Sequence, residues 1–555
     1  MELILVGDRF EQELKPLVKS FFQNDPPETK IEELDEELAW PVVTEGKLLY
    51  CTREGEEQVI TEPYEVEYGC VIHTGENRFH VAFIRDGVVT QYTEETVFST
   101  EKNMLPAQEA DCDVPDGNEC DGMEETAVAD NSEASRRKYY RNQLGRAVYR
   151  ILSQETGKTL PWGILTGVRP TKLVVEMLEG GEETVAIRKH MKDEYLCTDN
   201  KIDVSIRVAE NERRLLEKID YKRGYSLYLG IPFCPTTCHY CSFTSFPLKG
   251  FGQWVEPYLD ALEKEIDAAS TIFPNRPLHT VYIGGGTPTT LSPEQLERVI
   301  TRVKNRFDLS ACVEFTVEAG RPDSVTPEKL LKLKELGVDR ISINPQTMNN
   351  KTLEAIGRRH TAEQVVEAFR MARECGHDNI NMDMILGLSG ETPEEVEYTL
   401  SEIEKLNPDS LTVHTLALKR AARLNIEGQK FRDIGAEDVP KMLTLTSDYA
   451  KTHGYEPYYL YRQKNMAENL ENVGYARPGK ECLYNILIME EKQTILALGA
   501  GGSTKFVYQG SDPAQGIRIE RVENVKNVNH YIDRIDEMIA RRPQFLQQNN
   551  DRMFL

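Results

Sequence analysis

The chain has 555 residues and 40% apolar content, enough to bury two to four cores at roughly 150 residues per domain. Its 91 Asp and Glu against 66 Lys and Arg give a formal net charge of −25, which argues against general affinity for nucleic acid or anionic membrane. There is no apolar run long enough for a membrane span, and the start MELILVGDRFEQELK lacks the basic opening and long apolar core of a secretion signal, so a cytoplasmic location is expected.

Residues 1–100 read as a small N-terminal α/β domain. LILVG, KLLYCT, YGCVIHTG and RFHVAFIRDG have the composition of short strands, and EQELKPLVKSFF that of a helix. Residues 101–135 are dominated by Asp and Glu and are expected to be a flexible acidic linker, since they cannot bury enough surface to fold alone. Residues 136–222 form a helical segment, with apolar residues at helical spacing in RRKYYRNQLGRAVYRILSQETG and DVSIRVAENERRLLEKID. Between these lies PWGILTGVRPTK, either a helix–helix turn or an anion-binding loop using Arg169 and Lys172.

From residue 223 to 420 strand-length apolar runs alternate with helical segments. The strands are SLYLGIPF, HTVYIGGG, CVEFTVEA, RISINPQ, NINMDMILGL and SLTVHTLAL. Several of the intervening helices open on Ser or Thr followed by Pro and Glu, a helix-start signal. Successive strand–helix units imply a parallel sheet covered by helices. Six units fall short of a closed eight-stranded barrel. The expected fold class is therefore α/β, an open partial (β/α)6 TIM-like barrel, with an N-terminal α/β extension and a C-terminal α+β segment over 421–555. Ligands of such sheets sit at the C-terminal strand ends.

Eight of the eleven cysteines are scattered: Cys51, Cys70, Cys112, Cys120, Cys197, Cys312, Cys375 and Cys482. They read as small buried or surface residues. Cys234, Cys238 and Cys241 instead lie together in CPTTCHYC, directly after the first barrel strand. Three thiolates suit a four-iron cluster with one iron left open for an exchangeable ligand. Zinc fits the spacing in part, with His239 as the nearby fourth ligand.

This C-x-x-x-C-x-aromatic-C loop resembles that of the radical S-adenosylmethionine (SAM) superfamily. IPFCPTTCHYCSF is similar to the oxygen-independent coproporphyrinogen III oxidase branch, which includes the related heme chaperones, and the resemblance runs from about Tyr221 to Phe506. It implies a [4Fe–4S] cluster on Cys234, Cys238 and Cys241 as the catalytic centre, with Tyr240 beside it. It places the methionyl amino group of SAM at the glycine-rich stretch that includes Gly285, Gly286 and Thr287, with Glu318 near the methionyl group. Gln346 and Asp383 would contact ribose, Arg358 the SAM carboxylate, and Ile385 and Ala417 the adenine. Gly499, Gly501 and Gly502 match a glycine-rich turn near the cofactor.

The implied reaction begins with a low-potential donor such as flavodoxin or ferredoxin reducing the cluster. SAM is then cleaved to a 5′-deoxyadenosyl radical that takes a hydrogen from coproporphyrinogen III, and two rounds of decarboxylation give protoporphyrinogen IX. Well-studied oxidases carry a further cysteine two residues past the last cluster cysteine, where this chain has Phe243, as the chaperones do. The long N-terminal extension is closest to an extended subfamily of coproporphyrinogen dehydrogenases. A heme-binding chaperone with His239 or His360 as axial ligand, and another radical SAM reaction on a tetrapyrrole, are the alternatives.

Overall fold

The computed structural model describes residues 1–6, 10–22, 26–32, 39–44, 46–54, 57–63, 66–97, 132–416, 438–462, 470–509 and 517–548. The acidic segment, apart from residues 132–135, and Ala417 lie outside the described residues. The chain forms two compact units, Met1–Thr166 with Val185–Ile202, and Gly167–Thr184 with Asp203–Leu555.

The first unit holds strands β1 (Glu2–Val6), β2 (Glu28–Glu32), β3 (Ala39–Thr44), β4 (Lys47–Glu54), β5 (Glu57–Pro63), β6 (Tyr68–Thr74), β7 (Arg78–Arg85) and β8 (Val88–Thr96). They make a five-stranded sheet in the order β2-β1-β6-β7-β8 and a three-stranded meander β3-β4-β5. Helices Glu11–Phe21 and Glu133–Thr156 contribute to its core. The longer helix is capped by Ser132, whose side chain accepts from the Ser135 N–H, and it puts Tyr140, Leu144, Val148 and Leu152 on one face at helical spacing.

The second unit contains β9 (Tyr225–Ile231), β10 (Phe233–Cys234), β11 (Phe246–Pro247), β12 (Leu278–Gly285), β13 (Glu314–Glu318), β14 (Arg340–Ser342), β15 (Ile380–Leu386) and β16 (Ser410–Thr415). After these come β17 (Glu456–Tyr461), β18 (Asn472–Ala476), β19 (Thr494–Leu498), β20 (Ser503–Gln509) and β21 (Ile517–Glu523). The six strands expected from the sequence are neighbours in chain order, β9-β12-β13-β14-β15-β16, and all run parallel. Among the described residues the sheet is open. The C-terminal segment extends it at both edges, adding antiparallel β18 and β17 beside β16, and parallel β19 followed by antiparallel β20 and β21 beside β9.

Buried residues occupy most of β9, β12, β15 and β16, as in a parallel sheet covered on both faces. Ser292 and Thr361 close reciprocal capping boxes with Gln295 and Gln364 on the helices Pro293–Arg306 and Ala362–Glu374. In the same unit, the Arg169 guanidinium donates to the Met489 carbonyl at 3.2 Å and pairs with Glu491 at 2.9 Å. Lys172 pairs with Glu176 at 3.4 Å. Both cations of the PWGILTGVRPTK loop thus have carboxylate partners within the protein. Among the described residues no helix is long and apolar enough to cross a membrane.

Candidate active site

The three-cysteine loop is closed at its base. Phe233–Cys234 pairs in parallel with Phe246–Pro247, and the Phe246 N–H donates to the Pro232 carbonyl at 2.7 Å. The glycine-rich turn after β12 lies against this base. Gly286 and Thr287 donate their N–H groups to the carbonyls of Ile231 and Phe233, each at 2.7 Å. A Cβ on Gly286 would stand 2.6 Å from the Phe233 oxygen, so glycine is required there by the chain's own close approach. The Thr287 hydroxyl is 3.5 Å from the Cys234 sulfur.

The loop is clamped on its far side. The His239 N–H donates to the Ile356 carbonyl at 3.0 Å, and its Nδ1 lies 3.2 Å from the Ala355 carbonyl. Burial raises the Cys234 thiol, and it pushes Cys241 up to about 11. The neighbouring thiols reinforce the rise, whereas the guanidinium of Arg358 opposes it at both cysteines and that of Arg321 at Cys234. Two buried cations beside thiols counter the burial penalty on the thiolates that metal ligation needs.

Arg358 follows the short helix Asn350–Ala355. It donates to the Asn344 carbonyl at 2.8 Å and to the Tyr240 hydroxyl at 3.2 Å. The Asn344 amide donates to Asp383 Oδ2 at 2.7 Å, and Asn381 donates to Oδ1 at 2.6 Å. Gln346 takes a left-handed φ of 65°, and its backbone bridges β15 by bonds to the Asp383 carbonyl and the Ile385 N–H, both 2.9 Å. Ile385 packs in an apolar cluster with Leu353, Ile356 and Leu388, against which Tyr240 rests. Glu318 accepts from the Tyr282 hydroxyl at 2.7 Å. Burial and the Asp383 charge lift its carboxyl to about 7, against the opposing Tyr282 hydrogen bond.

The structure therefore links Tyr240, Arg358, Asp383, Gln346 and Ile385 through Asn344, and joins Cys234 to Thr287. Sequence reading passed over Asn344, Tyr282 and Arg321. Arg321, in EAGRPDS just past the third barrel strand, donates to the Cys238 sulfur at 3.5 Å. Its signal was a cation directly after a strand's C-terminal end. In the turn after β19 the Gly499 N–H donates to buried Glu265 at 2.7 Å, and a Cβ on Gly501 would stand 3.0 Å from the Thr244 hydroxyl, just past the third cysteine.

Two buried polar atoms at this rim, Arg358 Nε and Gln346 Oε1, have no hydrogen-bond partner among the described residues. Buried polar groups are normally paired, so the rim has donor and acceptor capacity left for a ligand bearing an anionic group and hydroxyls. Among the described residues no three His, Cys, Asp or Glu side chains are gathered for a single metal ion. Three separate thiols on one clamped loop, flanked by cations, match the thiolate donor set of an iron–sulfur cluster.

The family description "Radical SAM superfamily" matches residues 228–403. The oxygen-independent coproporphyrinogen-III oxidase-like protein HemZ of Bacillus subtilis is 40% identical over 423 residues, covering 76% of this chain and 83% of its own. Heme chaperone HemW of the same organism is 35% identical over 327 residues, 56% of this chain and 76% of its own. Among solved structures, coproporphyrinogen III oxidase (HemN) from Escherichia coli aligns with a TM-score of 0.47 at 24% identity, over 59% of this chain and 73% of that one.

Fold and site define a radical SAM protein, whose cofactors are a [4Fe–4S] cluster and S-adenosylmethionine. Within that superfamily the chain belongs to the oxygen-independent coproporphyrinogen III oxidase-like family.

Proposed function

We propose that the chain carries out the oxygen-independent oxidative decarboxylation of coproporphyrinogen III to protoporphyrinogen IX in the cytoplasm, with an electron donor such as flavodoxin or ferredoxin. The observation that carries this reading is the strand-end rim built on Cys234, Cys238 and Cys241 in a chain that spans 83% of a relative named as coproporphyrinogen-III oxidase-like. The site falls in the barrel over 223–420, which residues 421–555 complete.

When bound, the cluster and SAM supply one-electron chemistry able to remove a hydrogen atom from a carbon. The chain's residues bind and orient. Cys234, Cys238 and Cys241 hold the cluster, and the Gly285–Gly286–Thr287 turn offers backbone beside it. Arg358 offers its guanidinium edge to the SAM carboxylate, while Gln346 and Asp383 face the ribose hydroxyls. Glu318 takes the methionyl ammonium, which would draw its raised carboxyl back to the ionised form. Ile385 and Tyr240 cover the apolar side and keep water away. Each substrate propionate would become a vinyl group by losing one hydrogen atom, which ends in 5′-deoxyadenosine, one carbon dioxide, and one electron, which passes to a one-electron acceptor.

A second reading, a heme-binding chaperone, is favoured by Phe243, which stands 71% exposed where well-studied oxidases carry a cysteine. Of its two candidate axial ligands, His360 is only 2% exposed, and burial and the adjacent Arg358 and Arg321 hold its ring neutral, down to about 3.

The deciding experiment is anaerobic reconstitution followed by SAM, reductant and coproporphyrinogen III, with products read by mass spectrometry. Protoporphyrinogen with 5′-deoxyadenosine is expected. Tight heme binding with no decarboxylated product would overturn the enzyme reading in favour of the chaperone.

A further inference from the structure

Arg321 sits in the turn after β13 and is 3% exposed. A guanidinium has five N–H donors in a fixed planar fork, and here each meets one acceptor. Nε and Nη2 grip Asp323 Oδ1 and Oδ2 at 2.9 and 2.7 Å. The second Nη2 donor reaches the Thr236 hydroxyl at 3.1 Å. Nη1 donates to the Thr236 carbonyl at 3.2 Å and to the Cys238 sulfur at 3.5 Å. One side chain from another strand end therefore fixes the backbone between the first two cysteines and sets an N–H on the sulfur of the second.

The anchor is itself rigid. The Arg321 carbonyl accepts from the Ser324 N–H at 2.9 Å and from its hydroxyl at 2.7 Å, and the Ser324 hydroxyl also meets Thr289 at 2.7 Å. Such a constellation exceeds what loop closure needs. Hydrogen bonds to cluster sulfurs and net charge near the cluster are what tune iron–sulfur potentials, and a buried, fully engaged guanidinium supplies both.

We propose that Arg321, clamped by Asp323, is a positioning residue that sets the reduction potential of the cluster through the Cys238 sulfur. This rests on the reading that Cys234, Cys238 and Cys241 hold the cluster. A donor and a positive charge at the sulfur stabilise the reduced, more negative state. Removing Arg321 therefore moves the midpoint to more negative potential. Removing only the Asp323 charge leaves the guanidinium less compensated and moves it to more positive potential. A merely structural role produces no such opposed pair.

The experiment is an EPR-monitored redox titration of the reconstituted full chain in wild type, Arg321→Gln and Asp323→Asn, with iron and sulfide counted in each. The expected result is full iron content and opposed shifts, with Arg321→Gln changing the oxidised-to-reduced ratio at fixed potential at least tenfold, about 59 mV for one electron. Unmoved midpoints, or midpoints that move in the same direction, overturn the proposal. Should Arg321→Gln lose its fold or its iron, Asp323→Asn decides alone: a positive shift sustains the proposal, and an unchanged or negative midpoint ends it. Failure of the underlying reading looks different, since Cys238→Ala would then retain the wild-type cluster.

Discussion

The guanidinium of Arg358 donates to the hydroxyl of Tyr240 at 3.2 Å, across 118 positions of chain, and so joins the cysteine loop to the segment after the fourth barrel strand. The same side chain holds the Asn344 carbonyl and keeps Nε buried and unspent. Lysine offers a point charge and cannot serve these directions at once. Arg358→Lys is expected to weaken SAM binding at least tenfold, about 1.4 kcal/mol, while iron content stays at the wild-type level. Anaerobic equilibrium dialysis checks this, and an unchanged dissociation constant removes Arg358 from the ligand set.

Gly357 has a φ of +78°, and a Cβ there would stand 2.8 Å from the His239 ring. Both the backbone and the loop it braces would have to give. Forcing a side-chain-bearing residue into that region costs about 1–3 kcal/mol. Gly357→Ala should lower the melting temperature and hasten iron loss together, because His239 lies between the second and third cysteines. A variant that melts and retains iron like the parent would show that the clamp is dispensable.

The barrel was legible because its determinants are local. Alternating strand and helix signals, Ser and Thr caps and the cysteine loop each occupy a short stretch. What the sequence concealed was long-range pairing. β19 joins β9 in parallel from more than half the unit away, and nothing in TILAL distinguishes that place from an antiparallel edge. At the site, Glu318 and Asp383 could be found as acidic residues on strands aimed at one rim. Arg321 shows in the sequence only as a cation just past a strand end, and Asn344 not at all, since their roles come from partners in other strand–helix units, Asp383 in one case and Thr236 and Cys238 in the other.

Glu391 is buried and accepts from the Thr347 hydroxyl at 2.5 Å. Burial lifts its carboxyl to about 7, against a value of 4.5 when unhindered. The folded-state value is the raised one, so its stabilising contribution is complete below about pH 4.5 and is lost as pH rises through about 7. Relative to Glu391→Gln, the wild type should lose about 1–3 kcal/mol across that window and run parallel to it above pH 8. Urea unfolding of both proteins at a series of pH values tests this, and parallel curves throughout would show that Glu391 ionises freely in the fold.

Glu265 and Arg542 form an ion pair at 2.8 Å with both side chains 1% exposed. Glu265 also accepts from the Gly499 N–H and the Asn524 amide, each at 2.7 Å, and from the Tyr531 hydroxyl at 2.5 Å. It thus binds the C-terminal helix Ile535–Gln548 to the turn that follows β19, the parallel neighbour of the strand carrying the cysteine loop. Glu265→Ala strands a buried guanidinium, and breaking such a pair from one side costs about 3–5 kcal/mol. Replacing both partners with leucine removes the stranded charge, so the double variant should be more stable than Glu265→Ala alone. Unfolding free energies from denaturant titrations of wild type, Glu265→Ala and the double variant test this. A Glu265→Ala unfolding free energy within about 0.5 kcal/mol of wild type, the spread of ordinary surface changes, would mean that the pair does not hold the C-terminal helix in place.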